Sequence, residues 1–145
     1  MLTFDQLDFI ADLYIPVLVL ISLYFLVKMF CLKFIFKALV QTALMGGAVV
    51  FIYCLMFVDR YFLIWESLGL DYSTHTALAL VFIVFLALKG FRLMLFVLLS
   101  MLLYAGLMVY QDYHSVLDIV STGMAVTPVL MWLFTRSGSC GQTAG

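Results

Sequence analysis

The segment Asp71-Tyr72-Ser73-Thr74-His75-Thr76-Ala77 begins an apolar run that continues to Leu88. A second segment, Tyr113-His114-Ser115-Val116-Leu117-Asp118, begins the last apolar run of the chain in the same way. Together the two segments contain both histidines of the protein. Because each one precedes a long hydrophobic stretch, we interpret the rest of the chain as a scaffold that brings the two segments together.

The amino-acid composition indicates which environment surrounds this scaffold. Of the 145 residues, 67% are hydrophobic and only 10% are charged, and the mean hydropathy is +1.23. A soluble domain carries about a quarter charged residues, so the sequence predicts an integral membrane protein. The net charge of −1 provides no basic surface for nucleic acid, which we exclude as a partner. The three cysteines show neither a disulfide framework nor a metal-ligand spacing.

Five apolar runs predict an all-α fold. About 20 helical residues, each rising roughly 1.5 Å, cross the ~30 Å hydrocarbon core of a bilayer. The predicted membrane helices cover residues 13–30, 38–58, 73–88, 93–110 and 115–134, of which the third is short. We expect one polytopic domain over residues 1–136, opened by an acidic interfacial segment, and a disordered tail over residues 137–145.

The charges predict the orientation of the bundle. With five crossings, every Lys and Arg except Arg60 falls on the side of the C-terminus. The positive-inside rule assigns that side to the cytoplasm and places the N-terminus outside. The carboxylates and both histidines then lie at or near the extracytoplasmic side. We therefore predict an integral protein of a bacterial inner membrane whose polar segments open to the outside.

The spacing of the polar residues predicts a shared reactive site. His114 and Asp118 are four residues apart at the predicted start of the fifth helix, so their side chains are expected to meet on one face. A carboxylate beside a histidine fixes its tautomer and stabilises its charged form. Ser73 is a natural N-cap for the helix that begins near His75, and the first-turn N–H groups of that helix attract an anion such as phosphate. The sequence therefore predicts acid-base or nucleophilic chemistry on an anionic substrate.

The two segments resemble motifs of the type 2 phosphatidic acid phosphatase superfamily, which includes lipid phosphatases and the sphingomyelin and inositol-phosphorylceramide synthases. Ser73-Thr74-His75-Thr76 is similar to its Ser-Gly-His-Thr motif, and His114 to Asp118 is similar to its His-x-x-x-Asp motif. The resemblance covers residues 71–123, which include most of the last three predicted helices. Thr74 stands where the family has glycine, and the arginine-containing motifs of the phosphatases have no counterpart.

The resemblance implies a role for each matching residue. His114 is expected to be the nucleophile that forms a phosphohistidine, Asp118 to orient it, and His75 to protonate the leaving oxygen. Water would complete a phosphatase reaction, and a lipid or sugar hydroxyl would complete a phosphotransferase reaction. The implied substrate is a membrane lipid, either a phospholipid or an isoprenoid phosphate, and no cofactor is implied. The expected substrate-binding residues are Ser73, Thr74, Thr76, Arg60 and Asp71.

Other interpretations of the same residues stay open. Because the arginine motifs are missing, the chain could instead be a non-catalytic membrane subunit with an assembly or binding role. A metal site built from His75, His114, Asp118 and Asp71 is chemically reasonable, since imidazole and carboxylate suit Zn or Mn. No spacing requires such a site, and we predict no metal. Association with a second copy or with another membrane subunit is also left open.

Overall fold

Six helical elements follow one another along the chain. A computed structural model describes residues 3–139, and every regular element in that range is helical. The α-helices are α1 (Phe4–Cys31), α2 (Ile35–Phe62), α3 (Thr74–Ala87), α4 (Phe91–Tyr110) and α5 (Val116–Ser139), with a 3₁₀ turn at Glu66–Leu68 between α2 and α3. The prediction of an all-α fold is confirmed.

Four of the helices have the length and composition of membrane spans. They are α1, α2, α4 and α5, whose apolar stretches have between 20 and 28 residues. Many of their large apolar side chains are exposed on the outside of the bundle, as is expected of helices that face lipid. α3 has 14 residues, which give it a length of about 21 Å. The structure therefore supports an all-helical membrane protein, and a crossing by α3 remains a prediction.

α3 lies in the middle of the bundle. It contacts each of the other four α-helices. Six consecutive residues of α3, from Val81 to Leu86, are buried, so buried side chains cover all sides of the helix. A helix that is apolar all round is one that is surrounded by protein. The short third run of the sequence is explained by this position, because α3 packs against protein and not against lipid.

Several predicted helix boundaries are wrong. α1 begins at Phe4 and not near residue 13. The start of the helix is stabilised by a hydrogen bond from Thr3 N–H to Gln6 Oε1 (3.0 Å). The acidic residues that follow lie near the N-terminus of the helix, where its dipole favours negative charge. Pro16 consequently lies inside α1 and not in its first turn. α5 continues to Ser139, into the segment that was predicted to be a disordered tail. The rest of that tail, residues 140–145, lies outside the described residues.

Successive helices run in opposite directions, so the bundle has two chemically different ends. At one end, the start of α1 meets the segment after α4, where Tyr113 Oη donates to Asp8 Oδ1 (3.1 Å). At the other end, Lys89 after α3 donates to Gln41 Oε1 of α2 (2.6 Å). We name the first the histidine end, because it contains His75 and His114, and the second the lysine end, because it contains Lys28, Lys37 and Lys89.

Candidate functional site

Side chains tie the loop between α2 and α3 to the neighbouring helices. Trp65 N–H donates to Asp59 Oδ1 (2.8 Å), and its indole Nε1–H donates to Ser121 Oγ of α5 (3.1 Å). Trp65 also packs edge to face against Tyr72, whose hydroxyl donates to the carbonyl of Ile52 (3.4 Å). Burial, with a smaller effect from the charge of Asp59, raises the pKa of Tyr72 to about 12, so this phenol stays neutral. The chain that leads into α3 is thus held in place on both sides.

Asp118 is part of the N-terminal cap of α5. Its Oδ2 accepts the backbone N–H of Ser115 (2.8 Å), and Ser115 Oγ accepts the N–H of Asp118 (3.2 Å), which makes a reciprocal capping box. Asp118 Oδ1 accepts the N–H of Asp71 (2.8 Å) and so joins the start of α5 to the loop before α3. The prediction that His114 and Asp118 share one helical face is wrong, because α5 begins at Val116 and His114 precedes it.

His114 lies beside a different carboxylate. Its Nδ1 is 3.4 Å from Asp71 Oδ2, and its side chain is 12% exposed, whereas that of Asp71 is 74% exposed. Nδ1 is screened from solvent, and within the described residues it has no hydrogen bond of regular geometry. The exposed carboxylate needs only a small movement to reach the ~2.9 Å of an ordinary N–H···O bond. Among the described residues, Asp71 is the carboxylate at ion-pair distance from His114, and the charge of His114 also acts on Asp118.

Ser73 and Thr76 form the buried cap of α3. Ser73 Oγ accepts the N–H of Thr76 (3.3 Å) and donates to Thr76 Oγ1 (2.8 Å). The N–H of Ser73 donates to Thr122 Oγ1 of α5 (3.1 Å), and Ser73 and Thr122 are both fully buried. The prediction that Ser73 caps this helix is confirmed. The hydroxyls of Ser73 and Thr76 and the backbone N–H groups of both residues are therefore used within the cap and its link to α5.

Three of the predicted substrate-binding residues line one cavity. Arg60, Asp71 and Thr74 surround a space of about 360 Å³ between the end of α2 and the start of α3, which we name the Arg60 cavity. Asp59 and Glu66 belong to the same lining, so its carboxylates outnumber its arginine. This balance of charge disfavours a bare phosphate and favours a ligand that also carries a cation.

His75 lies in an adjoining space. Its side chain is exposed and lines a cavity of about 250 Å³, which we name the His75 cavity, together with Asp12 of α1 and Tyr53 of α2. Thr74 lines both cavities, so the two adjoin at the first residue of α3. The N–H groups of this first turn point toward the N-terminal end of the helix, where its dipole is positive. The start of α3 is therefore the point that the two cavities share.

The predicted site residues thus gather at the histidine end but occupy separate positions there. Asp71 links the Arg60 cavity to His114, whereas His75 faces the other cavity. Within residues 3–139, no group of three or more His, Cys, Asp and Glu side chains is arranged to hold a metal ion. The arrangement therefore offers two imidazoles, an arginine and a helix N-terminus within a single end of the bundle.

No family model, curated protein or solved structure gave a significant match to this chain. The resemblance to lipid phosphatases consequently rests on the motif residues themselves.

The sequence alone did not reveal several residues of these cavities. Asp12 and Tyr53 lie in predicted membrane-end segments, and nothing in their spacing marks them as neighbours of His75. The pairing of Asp118 with Ser115, in contrast, could be predicted from the sequence. Ser115-x-x-Asp118 has the Ser/Thr-x-x-Asp/Glu pattern of a capping box. That pattern indicates that α5 begins after Ser115, and it would have separated His114 from the helix.

Proposed function

We propose that the protein is a membrane lipid phosphatase or phosphotransferase, a reduced relative of the type 2 phosphatidic acid phosphatase superfamily, that acts through a phosphohistidine on His114. One observation supports this most directly. Nδ1 of His114 is screened from solvent beside Asp71, and Asp71 also lines the Arg60 cavity. A histidine with a carboxylate within reach of one ring nitrogen can offer the other nitrogen as a nucleophile once the hydrogen bond to the carboxylate forms.

The proposed reaction has two displacements at phosphorus. Nε2 of His114 attacks phosphorus, and the bond from phosphorus to the alkoxide oxygen of the lipid breaks. Asp71 holds the proton on Nδ1 and stabilises the charge that develops on the ring, while His75 gives its proton to the leaving oxygen. In the second step, water attacks phosphorus, the bond from phosphorus to Nε2 breaks, and the phosphate leaves together with the headgroup that it carries. A lipid or sugar hydroxyl in place of water completes a phosphotransferase.

The proposed phosphoryl site is formed by Arg60 and the first turn of α3. An arginine and the positive end of a helix dipole are groups that stabilise the negative charge of a transferring phosphoryl. The carboxylates of Asp59, Glu66 and Asp71 act against this charge. We therefore propose a substrate whose headgroup carries its own ammonium group, so that a zwitterionic phospholipid is favoured over an isoprenoid phosphate.

The site is proposed to open on the extracytoplasmic face of a bacterial inner membrane. The bundle carries Lys28, Lys37 and Lys89 at its opposite end, and the positive-inside rule assigns that end to the cytoplasm. Helix ends lie at the depth of lipid headgroups, so a phosphoester bond of a lipid would lie level with His75 and His114.

The decisive experiment measures headgroup release and transfer by the purified full chain in vesicles of phosphatidylethanolamine, phosphatidylcholine or phosphatidic acid. We expect turnover of the zwitterionic lipids and an acid-labile phosphoenzyme that His114→Ala abolishes. His114→Ala should lower turnover more than about 10³-fold, and His75→Ala about 10²- to 10⁴-fold. Asp112→Asn is the matched control: Asp112 is exposed, two residues from His114, and its φ of 55° suits asparagine.

The result that would overturn the proposal is equally specific. If the wild-type chain neither releases nor transfers a headgroup from any of these lipids, or if a folded His114→Ala protein turns over like Asp112→Asn, His114 is not a nucleophile. If the protein turns over phosphatidic acid but not the zwitterionic lipids, the proposed enzymatic activity stands and only the proposed ammonium group of the substrate is refuted.

A second candidate function is a non-catalytic membrane subunit with an assembly role. The observation in its favour is that Ser73, Thr76 and Asp118 use their oxygen atoms for internal hydrogen bonds that join α3 to α5 and cap both helices. Such a subunit should keep its binding partner through a His75→Ala/His114→Ala double change. Copurification from detergent extracts of the membrane distinguishes the two functions, because the enzyme needs both histidines and the subunit needs neither.

A further inference from the structure

A large cavity lies at the lysine end. It has a volume of about 600 Å³ and lies between the ends of α1, α2, α3 and α5. Three lysines from three parts of the chain line it, namely Lys28 at the end of α1, Lys37 at the start of α2 and Lys89 after α3. Its volume falls within the range of small-ligand sites, roughly 300 to 1,000 Å³.

The lysines stand against walls that are apolar. Phe25, Phe34 and Leu88 line the cavity beside them, so that its surface is more apolar than polar. Nζ of Lys89 lies 4.0 Å from the ring centre of Phe85 and donates to Gln41 Oε1 (2.6 Å). A cavity that combines cations with apolar walls is complementary to a molecule with an anionic head and a hydrocarbon body.

Among the described residues that line the cavity, none is a carboxylate that could neutralise the lysines. The other polar residues that line the cavity are Gln41 and Thr135, and neither carries a charge. Burial, with a smaller contribution from the charge of Lys37, lowers the pKa of Lys89 to about 8. The cavity therefore holds uncompensated positive charge, and an anion placed there would relieve it.

We propose that the cavity at the lysine end binds one anionic phospholipid, with the phosphate between Lys28, Lys37 and Lys89 and the first carbons of its chains against the apolar walls. Basic pockets between membrane helices on the cytoplasmic side are a known class of headgroup site, and clusters of lysine at this depth attract anionic lipid. This lipid is separate from the substrate proposed for the histidine end, because the two sites lie at opposite ends of the bundle.

The experiment titrates the full chain, purified in a neutral detergent, with phosphatidylglycerol or phosphatidylcholine and counts bound lipids by native mass spectrometry. We expect one phosphatidylglycerol to bind more tightly than phosphatidylcholine. The Lys28→Gln/Lys37→Gln variant should bind it about thirtyfold more weakly, since each lysine near an anionic lipid contributes about fivefold. Both lysines are exposed, so this variant is expected to fold.

The matched control removes the same charge from the same end. Lys33 and Arg92 are exposed at the lysine end and do not line the cavity, so Lys33→Gln/Arg92→Gln should bind phosphatidylglycerol within about twofold of the wild type. Equal losses in the two double variants would mean diffuse surface attraction and would overturn the proposal. Equal binding of phosphatidylcholine would overturn it too. Displacement of the lipid by an equimolar amount of inorganic phosphate would show a site for a free anion instead.

Discussion

The two ends of the bundle use their polar side chains in different ways. At the histidine end, the buried oxygens of Asp118, Ser73 and Thr122 accept hydrogen bonds from backbone N–H groups of the loop and helix starts. At the lysine end, Lys89 has one side-chain hydrogen bond, to Gln41, and otherwise lies against an aromatic ring. The polar side chains of the histidine end therefore stabilise the fold, whereas the charge of Lys89 at the lysine end is available to a ligand.

This difference shows why burial alone does not identify a binding residue. A buried carboxylate that accepts N–H groups is explained by the structure it holds, because an unsatisfied buried N–H is costly. A lysine that lines an apolar cavity without a carboxylate is not explained in that way. Substitutions should therefore lower stability at the histidine end and lower ligand binding at the lysine end.

The largest loss of stability is expected for Asp118→Ala. This change leaves the N–H groups of Asp71 and Ser115 without their acceptor. Because both residues are exposed and water can partly replace the carboxylate, the free energy of unfolding should fall by about 1 to 4 kcal/mol, or roughly 0.5 to 2 kcal/mol for each N–H group. Unfolding in detergent by titration with a denaturing surfactant provides the measurement. Asp112→Asn, at an exposed carboxylate of the same end, should cost little, because asparagine tolerates the φ of 55° at this position. A similar effect from both changes would contradict the structural role of Asp118.

A smaller loss is expected for Thr122→Val, which keeps the shape of the side chain and removes the acceptor for Ser73 N–H. The buried N–H should cost about 1 to 3 kcal/mol of unfolding free energy. Thr135→Val offers a comparison at the lysine end, where the hydroxyl is exposed and donates to a carbonyl of its own helix. We expect it to stay within about 0.5 kcal/mol of the wild type. If the two threonines behave alike, the link between α3 and α5 contributes little.

The sequence predicted much of this fold because the apolar runs are long and separated by charge. It placed five helices and the Ser73 cap, and it separated the basic from the acidic residues. It did not predict the start of α1, because the sequence gives Asp8 the appearance of a solvent-exposed residue. In the structure, Gln111 and Tyr113, which follow α4, donate hydrogen bonds to Asp8. Contacts of that kind join residues far apart in the chain, and local pattern does not encode them.

The candidate site was harder to predict than the fold, for a related reason. A spacing of four residues brings two side chains together only inside a helix, and His114 lies just before one. Its neighbour Asp71 belongs to a loop whose position depends on Trp65 and Asp118. The sequence did not predict the lysine cavity either. In the sequence, Lys28, Lys33 and Lys37 form one polar boundary between two apolar runs. Only the three-dimensional packing shows that Lys28 and Lys37 line the cavity and that Lys33 does not.

The smallest expected effect is on the pH dependence of lipid binding at the lysine end, and it concerns Lys89. Its pKa of about 8 lies below the ordinary value of 10.5, so the side chain loses its charge between about pH 7 and pH 9 in the free protein. Lys28 of α1 and Lys37 of α2 are the other charged groups of the lining, and the charge of Lys37 repels the Lys89 ammonium. Binding of phosphatidylglycerol, whose phosphodiester stays anionic over this range, should weaken about fivefold.

Folding and binding should respond to this titration with opposite signs. Because the folded pKa of Lys89 is the lower one, the lipid-free protein gains stability as the pH rises from about 8 toward 10.5, whereas the affinity for lipid falls over the start of the same range. Lys89→Arg keeps its charge and should bind phosphatidylglycerol equally at both pH values. Lipid titrations of the two proteins at about pH 7 and pH 9 provide the measurement. An equal fall in both would assign the pH dependence to another group and remove Lys89 from the binding site.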